Sequence, residues 1–66
     1  MIAALKMVDG EKFYVKGDAA WNLKRLIVKN GAAYDVGWAA AENKERGEVA
    51  VNMKNVSYIE FRGVSE

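Results

Sequence analysis

The chain has 66 residues and a formal net charge of +1, and it contains no cysteine, histidine or proline. This composition excludes disulfide bonds, the common zinc sites and Cys–His or Ser–His nucleophilic catalysis. The hydrophobic fraction of 52% argues against disorder, and no apolar run approaches the ~20 residues of a membrane span. We therefore expect a single cytoplasmic domain over residues 1–66 that does not bind membranes. Because so small a core lacks disulfide and metal support, we also expect a homo-oligomer, either a dimer or a ring.

The first predicted elements are two strands, residues 2–8 and 12–16, on either side of Asp9 and Gly10. Asp-Gly is a preferred pair for a two-residue type I′ turn, and this turn fixes the register of a hairpin. The side predicted to face the core then holds Ile2, Ala4, Lys6, Val8, Glu11, Phe13 and Val15. The other side holds Ala3, Leu5, Met7, Lys12, Tyr14 and Lys16.

A helix is predicted next, over residues 19–29, with Asp18 as its N-cap and Asn30-Gly31 as its stop. Its apolar stripe consists of Ala19, Ala20, Leu23, Leu26 and Ile27. Trp21 and Val28 widen this stripe beyond what one sheet contact requires. Either the helix is covered from two directions, or these two side chains reach something outside the subunit.

Three more strands are predicted over residues 33–41, 48–53 and 56–62. A charged loop, residues 42–47, joins the first two. Within the polar interruption of residues 52–55, Lys54-Asn55 is interpreted as a tight turn or a single 3-10 turn before the last strand, although the two flanking runs could also form a plain antiparallel hairpin. Such corners allow strongly curved sheets and small barrels to turn on themselves. Alternation places Tyr34, Val36 and Trp38 on one side of the first strand, and Val49, Val51 and Met53 on one side of the second.

The predicted fold class is α+β, with the chain order β-β-α-β-β-β. We expect a small curved antiparallel sheet of four or five strands packed on one helix. The alternative is a small β-barrel with one inserted helix.

Enzymatic activity is not expected from this sequence. The carboxylates inside predicted strands, Asp35, Glu48 and Glu60, are interpreted as outward-facing residues rather than as an acid–base pair. The glycine spacing matches no phosphate-binding loop, and no EF-hand spacing occurs. We therefore predict no catalytic residue, no cofactor and no metal site.

The favoured hypothesis is a non-catalytic interaction module that binds another protein through surface aromatic residues. Trp and Tyr dominate binding hot spots because each places a large rigid area against a partner. The candidates for this role are Trp21, Tyr34, Trp38 and Tyr58.

The first alternative is a nucleic-acid-binding protein. Aromatic rings interleaved with basic groups suit single strands, because bases stack on the rings while lysines follow the phosphates. The candidates are Lys12, Tyr14 and Lys16 on the hairpin, extended by Lys24, Arg25 and Lys29 on the helix. A second alternative is an oligomer that sequesters a small molecule or nucleotide in a pocket between subunits.

In size and layout the chain resembles many short proteins of bacterial phages and mobile elements. Such proteins often bind and block a host protein, or hold a nucleic acid or nucleotide. The likeness rests on size and pattern, so it assigns no role to any residue.

Overall fold

The structure is a computed structural model that describes residues 1–30 and 37–63. Within them it contains β1 (Ile2–Met7), β2 (Lys12–Lys16), α1 (Asp18–Asn30), β3 (Trp38–Asn43), β4 (Gly47–Asn52), a 3-10 turn (Met53–Asn55) and β5 (Val56–Arg62). The predicted fold class and chain order are confirmed. β3 extends two residues beyond its predicted end, and the first part of the predicted strand, residues 33–36, lies outside the described residues.

The five antiparallel strands form one sheet in the order β4-β3-β2-β1-β5. β4 and β5 therefore lie at opposite edges, about 19 Å apart if the sheet were flat. Only Met53–Asn55 separates them along the chain, and four residue steps span at most about 14 Å. The sheet must therefore curve strongly, although it stays open within the described residues because β4 and β5 each pair on one side only.

The predicted register of the first hairpin is wrong by one residue. The N–H of Gly10 donates to the Met7 carbonyl at 3.0 Å, and the N–H of Met7 donates to the Glu11 carbonyl at 2.8 Å. Gly10 has a φ of +96°, whereas Asp9 does not have a positive φ, which a type I′ turn would require. The loop therefore has three residues, and Leu5 lies opposite Phe13.

This shift moves every side chain of β1 to the other side of the sheet relative to β2. Ala3, Leu5 and Met7, predicted to lie outside the core, are buried with Phe13 and Val15. The side expected to be core is thus divided between the two faces. We call the face that carries Leu5, Phe13 and Val15 the concave face, and the face that carries Lys6, Lys12 and Tyr14 the convex face.

Replacing Gly10 with alanine is expected to reduce the free energy of unfolding by about 1–2 kcal/mol, because a Cβ disfavours positive φ. A Cβ at Gly10 would meet no atom within 4 Å, so the expected cost is conformational alone. The matched control is Gly63→Ala, since Gly63 also has open space and has no positive φ. Urea unfolding followed by circular dichroism measures both, and equal losses would contradict this interpretation.

The helix begins one residue earlier than predicted. The Gly17 carbonyl accepts hydrogen bonds from the N–H groups of Ala20 and Trp21 at 3.1 and 3.2 Å, so Asp18 lies in the first turn rather than at the cap. The negative charge of the Asp18 carboxylate there interacts favourably with the positive end of the helix dipole and stabilises the helix. Of the predicted stripe, Ala20 and Leu23 are buried, whereas Leu26 is 42% exposed.

The core lies between α1 and the concave face. The buried apolar cluster comprises Met1, Ala3, Leu5, Met7, Phe13, Val15, Ala20, Leu23, Ala41, Val51, Met53 and Val56. It includes residues from both edge strands and from the 3-10 turn, as strong curvature requires. The Asn52 side chain accepts a hydrogen bond from the Lys54 N–H at 3.0 Å and so stabilises that turn. Within the described residues, no helix is long and apolar enough to cross a membrane.

Candidate functional site

The convex face is the broad surface that α1 leaves uncovered. In β2 it carries Lys12, Tyr14 and Lys16, as the alternation of side chains predicts. The side chains contributed by β1 and β5 are Ile2, Ala4, Lys6, Tyr58, Glu60 and Arg62. Leu5 and Met7, expected behind the lysines, lie in the core instead. Lys6 takes their place, so the face is more basic than the sequence indicated.

One row across three strands brings two lysines and a tyrosine together. Lys6 lies directly opposite Lys12 on β2 and opposite Tyr58 on β5. Directly opposite side chains have Cβ atoms about 4.5–5.5 Å apart. Tyr14 lies two residues from Lys12 on the same strand and faces the same way. We call Lys6, Lys12, Tyr14 and Tyr58 the lysine–tyrosine patch.

The two lysines of this patch have no carboxylate within ion-pair distance among the described residues. The other cations of the convex face do, since Lys16 Nζ lies 3.3 Å from Glu42 Oε1. Arg62 Nη2 lies 3.3 Å from Glu60 Oε1. Like charges on opposite residues destabilise a sheet, so an anion bound between Lys6 and Lys12 would relieve an unfavourable interaction.

The acidic side of the same face lies on β3 and β4. Glu42 lies opposite Glu48, next to the β2 strand that carries Tyr14. The convex face is therefore positive toward the end of β1 that carries Lys6 and negative across β3–β4. A linear anion would be steered along the positive end and away from β4.

The hairpin turns hold Lys12 in position. The Asn43 side-chain amide donates to the Lys12 carbonyl at 3.2 Å, which ties the β3–β4 turn to β2. Arg46 Nη2 lies 3.1 Å from Glu11 Oε1 and joins the two turns. Between them is an open cleft of about 720 Å³, lined in part by Lys12, Tyr14 and Lys44. This cleft continues the lysine–tyrosine patch toward the β3–β4 turn, although Asp9, Glu11 and Glu45 also line it.

The helix cations do not extend the patch. α1 packs on the concave side over β1 and β2, so Lys24, Arg25 and Lys29 belong to the opposite layer of the molecule. Lys24 Nζ lies 5.6 Å from the centroid of the Trp21 ring, within cation–π range. The continuous basic path predicted from the hairpin to the helix is therefore not formed.

The three predicted aromatic residues that the structure describes do not share one surface. Trp38 is 66% exposed and Tyr58 52% exposed, both on the convex face but on different strands. Trp21 is 48% exposed on the outer side of α1. Tyr34 lies outside the described residues. Trp38 stands beside Ala40 and Ala50, which lie opposite each other, and together they form a small apolar patch.

Three residues of the convex face, Lys6, Tyr58 and Arg62, were absent from the predicted nucleic-acid set. Tyr58 was predicted only as a protein contact. These residues can be assigned to the patch only when the order of the strands in the sheet is known. The pairing of β1 with β5 is what brings Tyr58 beside Lys6. Within residues 1–30 and 37–63, no three acidic side chains gather as a metal site.

Comparison with known proteins gives no further information. No protein-family model, curated protein or solved structure matches this chain.

Proposed function

We propose that the protein is a non-catalytic binding module that holds single-stranded nucleic acid on the lysine–tyrosine patch. The observation that supports this most is the placement of Lys6 directly opposite Lys12, with neither lysine neutralised by a described carboxylate. Tyr14 and Tyr58 flank the pair. Phosphates would bind between the lysines while bases stack on the rings.

Single strands fit this surface better than duplexes. The patch is a shallow sheet face rather than a helix or ribbon that could enter a major groove. Its stacking rings would need bases that are free of their partners. With few cations available, we expect weak binding, with dissociation constants of about 10⁻⁶–10⁻⁴ M at physiological salt.

Fluorescence anisotropy with a labelled mixed-sequence single strand tests the proposal. The variant Lys6→Ala/Lys12→Ala is expected to weaken binding and to lower the slope of log affinity against log salt by about 1.4, because each phosphate contact on a single strand contributes about 0.7. The titration should run between about 50 and 200 mM salt.

The matched control is Lys24→Ala/Lys29→Ala, which removes the same charge from the helix layer. It should leave the salt slope nearly unchanged. If both double variants lower the slope equally, only net charge matters and the patch is not the site. Absence of wild-type binding at low salt would also reject the proposal.

Protein binding through Trp38 is the second candidate function. The supporting observation is that Trp38 is 66% exposed beside Ala40 and Ala50, since an aromatic anchor on small residues suits a protein interface. An aromatic contact of this kind weakens little with salt, in contrast to phosphate binding. Trp38→Ala should leave oligonucleotide binding unchanged, because Trp38 lies outside the lysine–tyrosine patch, whereas it should abolish pull-down of a protein partner.

A further inference from the structure

The outer edge of β5 is the feature that carries a further inference. Among the described residues, β5 pairs with β1 and with no other strand. Natural edge strands are usually protected by proline, by charged side chains, lysine above all, or by bulges. The two charges of β5, Glu60 and Arg62, have opposite signs and lie 3.3 Å apart in the same chain, so they do not repel a strand that carries the same pair. β5 contains neither proline nor lysine, and its pairing irregularity lies at its start, near Met7 and Val56. Residues 59–63 therefore offer a regular, unprotected edge.

The hydrogen bonds show which residues of β5 direct their backbone groups outward. The N–H of Met7 bonds to Glu11 and the N–H of Gly17 bonds to Met1, so odd-numbered residues of β1 bond to β2. Even-numbered residues of β1 then bond to β5, because the two sides alternate. Their partners in β5 are Glu60 and Arg62. Ile59 and Phe61 consequently point their N–H and C=O groups away from the sheet.

The apolar side chains of this segment are also not fully covered by the rest of the described chain. Ile59 and Phe61 pack against the core from the concave side but are only partly buried, since α1 lies mainly over β1 and β2. Glu60 and Arg62 are exposed on the convex face. An antiparallel neighbour on this edge would cover the two apolar residues and reach both charges.

We propose that this neighbour is β5 of a second copy, with a twofold axis at Phe61. Phe61 would then lie opposite Phe61 of the other copy. Glu60 of each copy would lie opposite Arg62 of the other, which gives two symmetry-related pairs of opposite charge. Ile59 would lie opposite Gly63. The segment is thus complementary to itself in charge and in hydrogen-bonding pattern, as an isologous interface requires.

Other registers and edges fit less well. An axis at Glu60 would place two carboxylates opposite each other, which is unfavourable. The edge of β4 cannot take the place of β5 in a mixed contact. The N–H of Met53 bonds to Gly37, so β4 directs Ala50, a convex-face residue, outward. β5 directs outward the concave-face residues Ile59 and Phe61, so the faces would not match in one antiparallel sheet.

Sedimentation equilibrium of the full chain tests the interface. Wild type is expected to be a dimer at micromolar concentration. Glu60→Arg alone and Arg62→Glu alone place like charges across the axis, and each should weaken dimerisation by roughly tenfold or more. The double variant Glu60→Arg/Arg62→Glu restores opposite charges and should restore the dimer. Both substitutions are on exposed side chains, and circular dichroism checks that each of the three variants folds.

Cysteine cross-linking tests the register, since the chain has no cysteine of its own. Hydrogen-bonded antiparallel pairs have Cα atoms about 5.5 Å apart, within the disulfide range. Phe61→Cys should therefore form a covalent dimer on oxidation, whereas Tyr58→Cys, three residues from the axis, should not. A monomeric wild type, failure of the double variant to recover, or equal cross-linking at both positions would overturn the proposal. Any of these results would leave nucleic-acid binding by the lysine–tyrosine patch untouched.

Discussion

Replacing Leu5 with alanine is expected to lower the free energy of unfolding by roughly 2–5 kcal/mol. Leu5 is 0% exposed and belongs to β1, which lies between β2 and β5. Truncation would remove its contacts and leave a cavity that neighbours on both sides cannot easily fill. At about 0.05–0.15 kcal/mol per residue, a domain of this size has only about 3–10 kcal/mol in total, so the substitution should remove a large share of its stability and lower the urea midpoint strongly.

Ile2→Ala is the control for this prediction. Ile2 lies on the same strand but on the convex face, where it is only partly buried, so its truncation should cost less. The measurement is urea unfolding followed by tryptophan fluorescence and circular dichroism. A larger loss for Ile2→Ala than for Leu5→Ala would mean that the type I′ register, and not the three-residue loop, is correct.

Replacing Tyr58 with alanine is expected to weaken single-strand binding by about 1–3 kcal/mol, the value of one base stacked on an aromatic ring. This corresponds to roughly 5- to 150-fold in affinity. Tyr58 is 52% exposed, so the loss should come from binding rather than from unfolding. The salt slope should stay the same, since stacking releases no counterions.

Two variants make the stacking test specific. Tyr58→Phe keeps the ring and should bind like wild type. Trp21→Ala removes an aromatic residue of similar exposure from the helix layer and should also bind like wild type. Anisotropy titrations at one salt concentration measure the affinities of all three variants, and a salt series compares the slope of Tyr58→Ala with that of wild type. If Tyr58→Phe loses as much affinity as Tyr58→Ala, the hydroxyl and not the ring makes the contact, and the stacking model is wrong.

Most of the elements could be predicted because their signals are local. The change of period after Gly17 and the glycine after Asn30 located the helix to within one residue at each end. The polar interruption between Val51 and Val56 predicted a tight or 3-10 turn at Lys54-Asn55, and the structure has a 3-10 turn over Met53–Asn55. The bounds of β5 were predicted without error. Each of these depends on a few neighbouring residues, so one sequence was sufficient.

The prediction of the hairpin register was wrong because two local signals in the sequence disagreed. Asp9-Gly10 favours a two-residue turn, but that turn places Lys6 opposite Phe13. A three-residue loop instead aligns Leu5 with Phe13 and Lys6 with Lys12, as observed. Agreement between the faces of the two strands was the better criterion, because burial of apolar side chains outweighs a turn preference.

The candidate site was only half predictable for a different reason. Lys12, Tyr14 and Lys16 share a face through alternation alone. Lys6 joins them only after the register is known, and Tyr58 only after β5 is placed beside β1. The pairing of the first strand with the last connects residues about fifty positions apart, and no pattern within either strand specifies it.

That pairing has a consequence for synthesis of the protein on the ribosome. Among the described strands β1 comes first along the chain, whereas one of its two neighbours, β5, follows all the others. Until the final strand has left the exit tunnel, the nascent chain has a half-paired central strand and an incompletely covered interior. Contacts between distant segments form slowly, so the unfinished sheet passes through a stage that is vulnerable to aggregation and proteolysis, and it can be completed only after β5 has been synthesised.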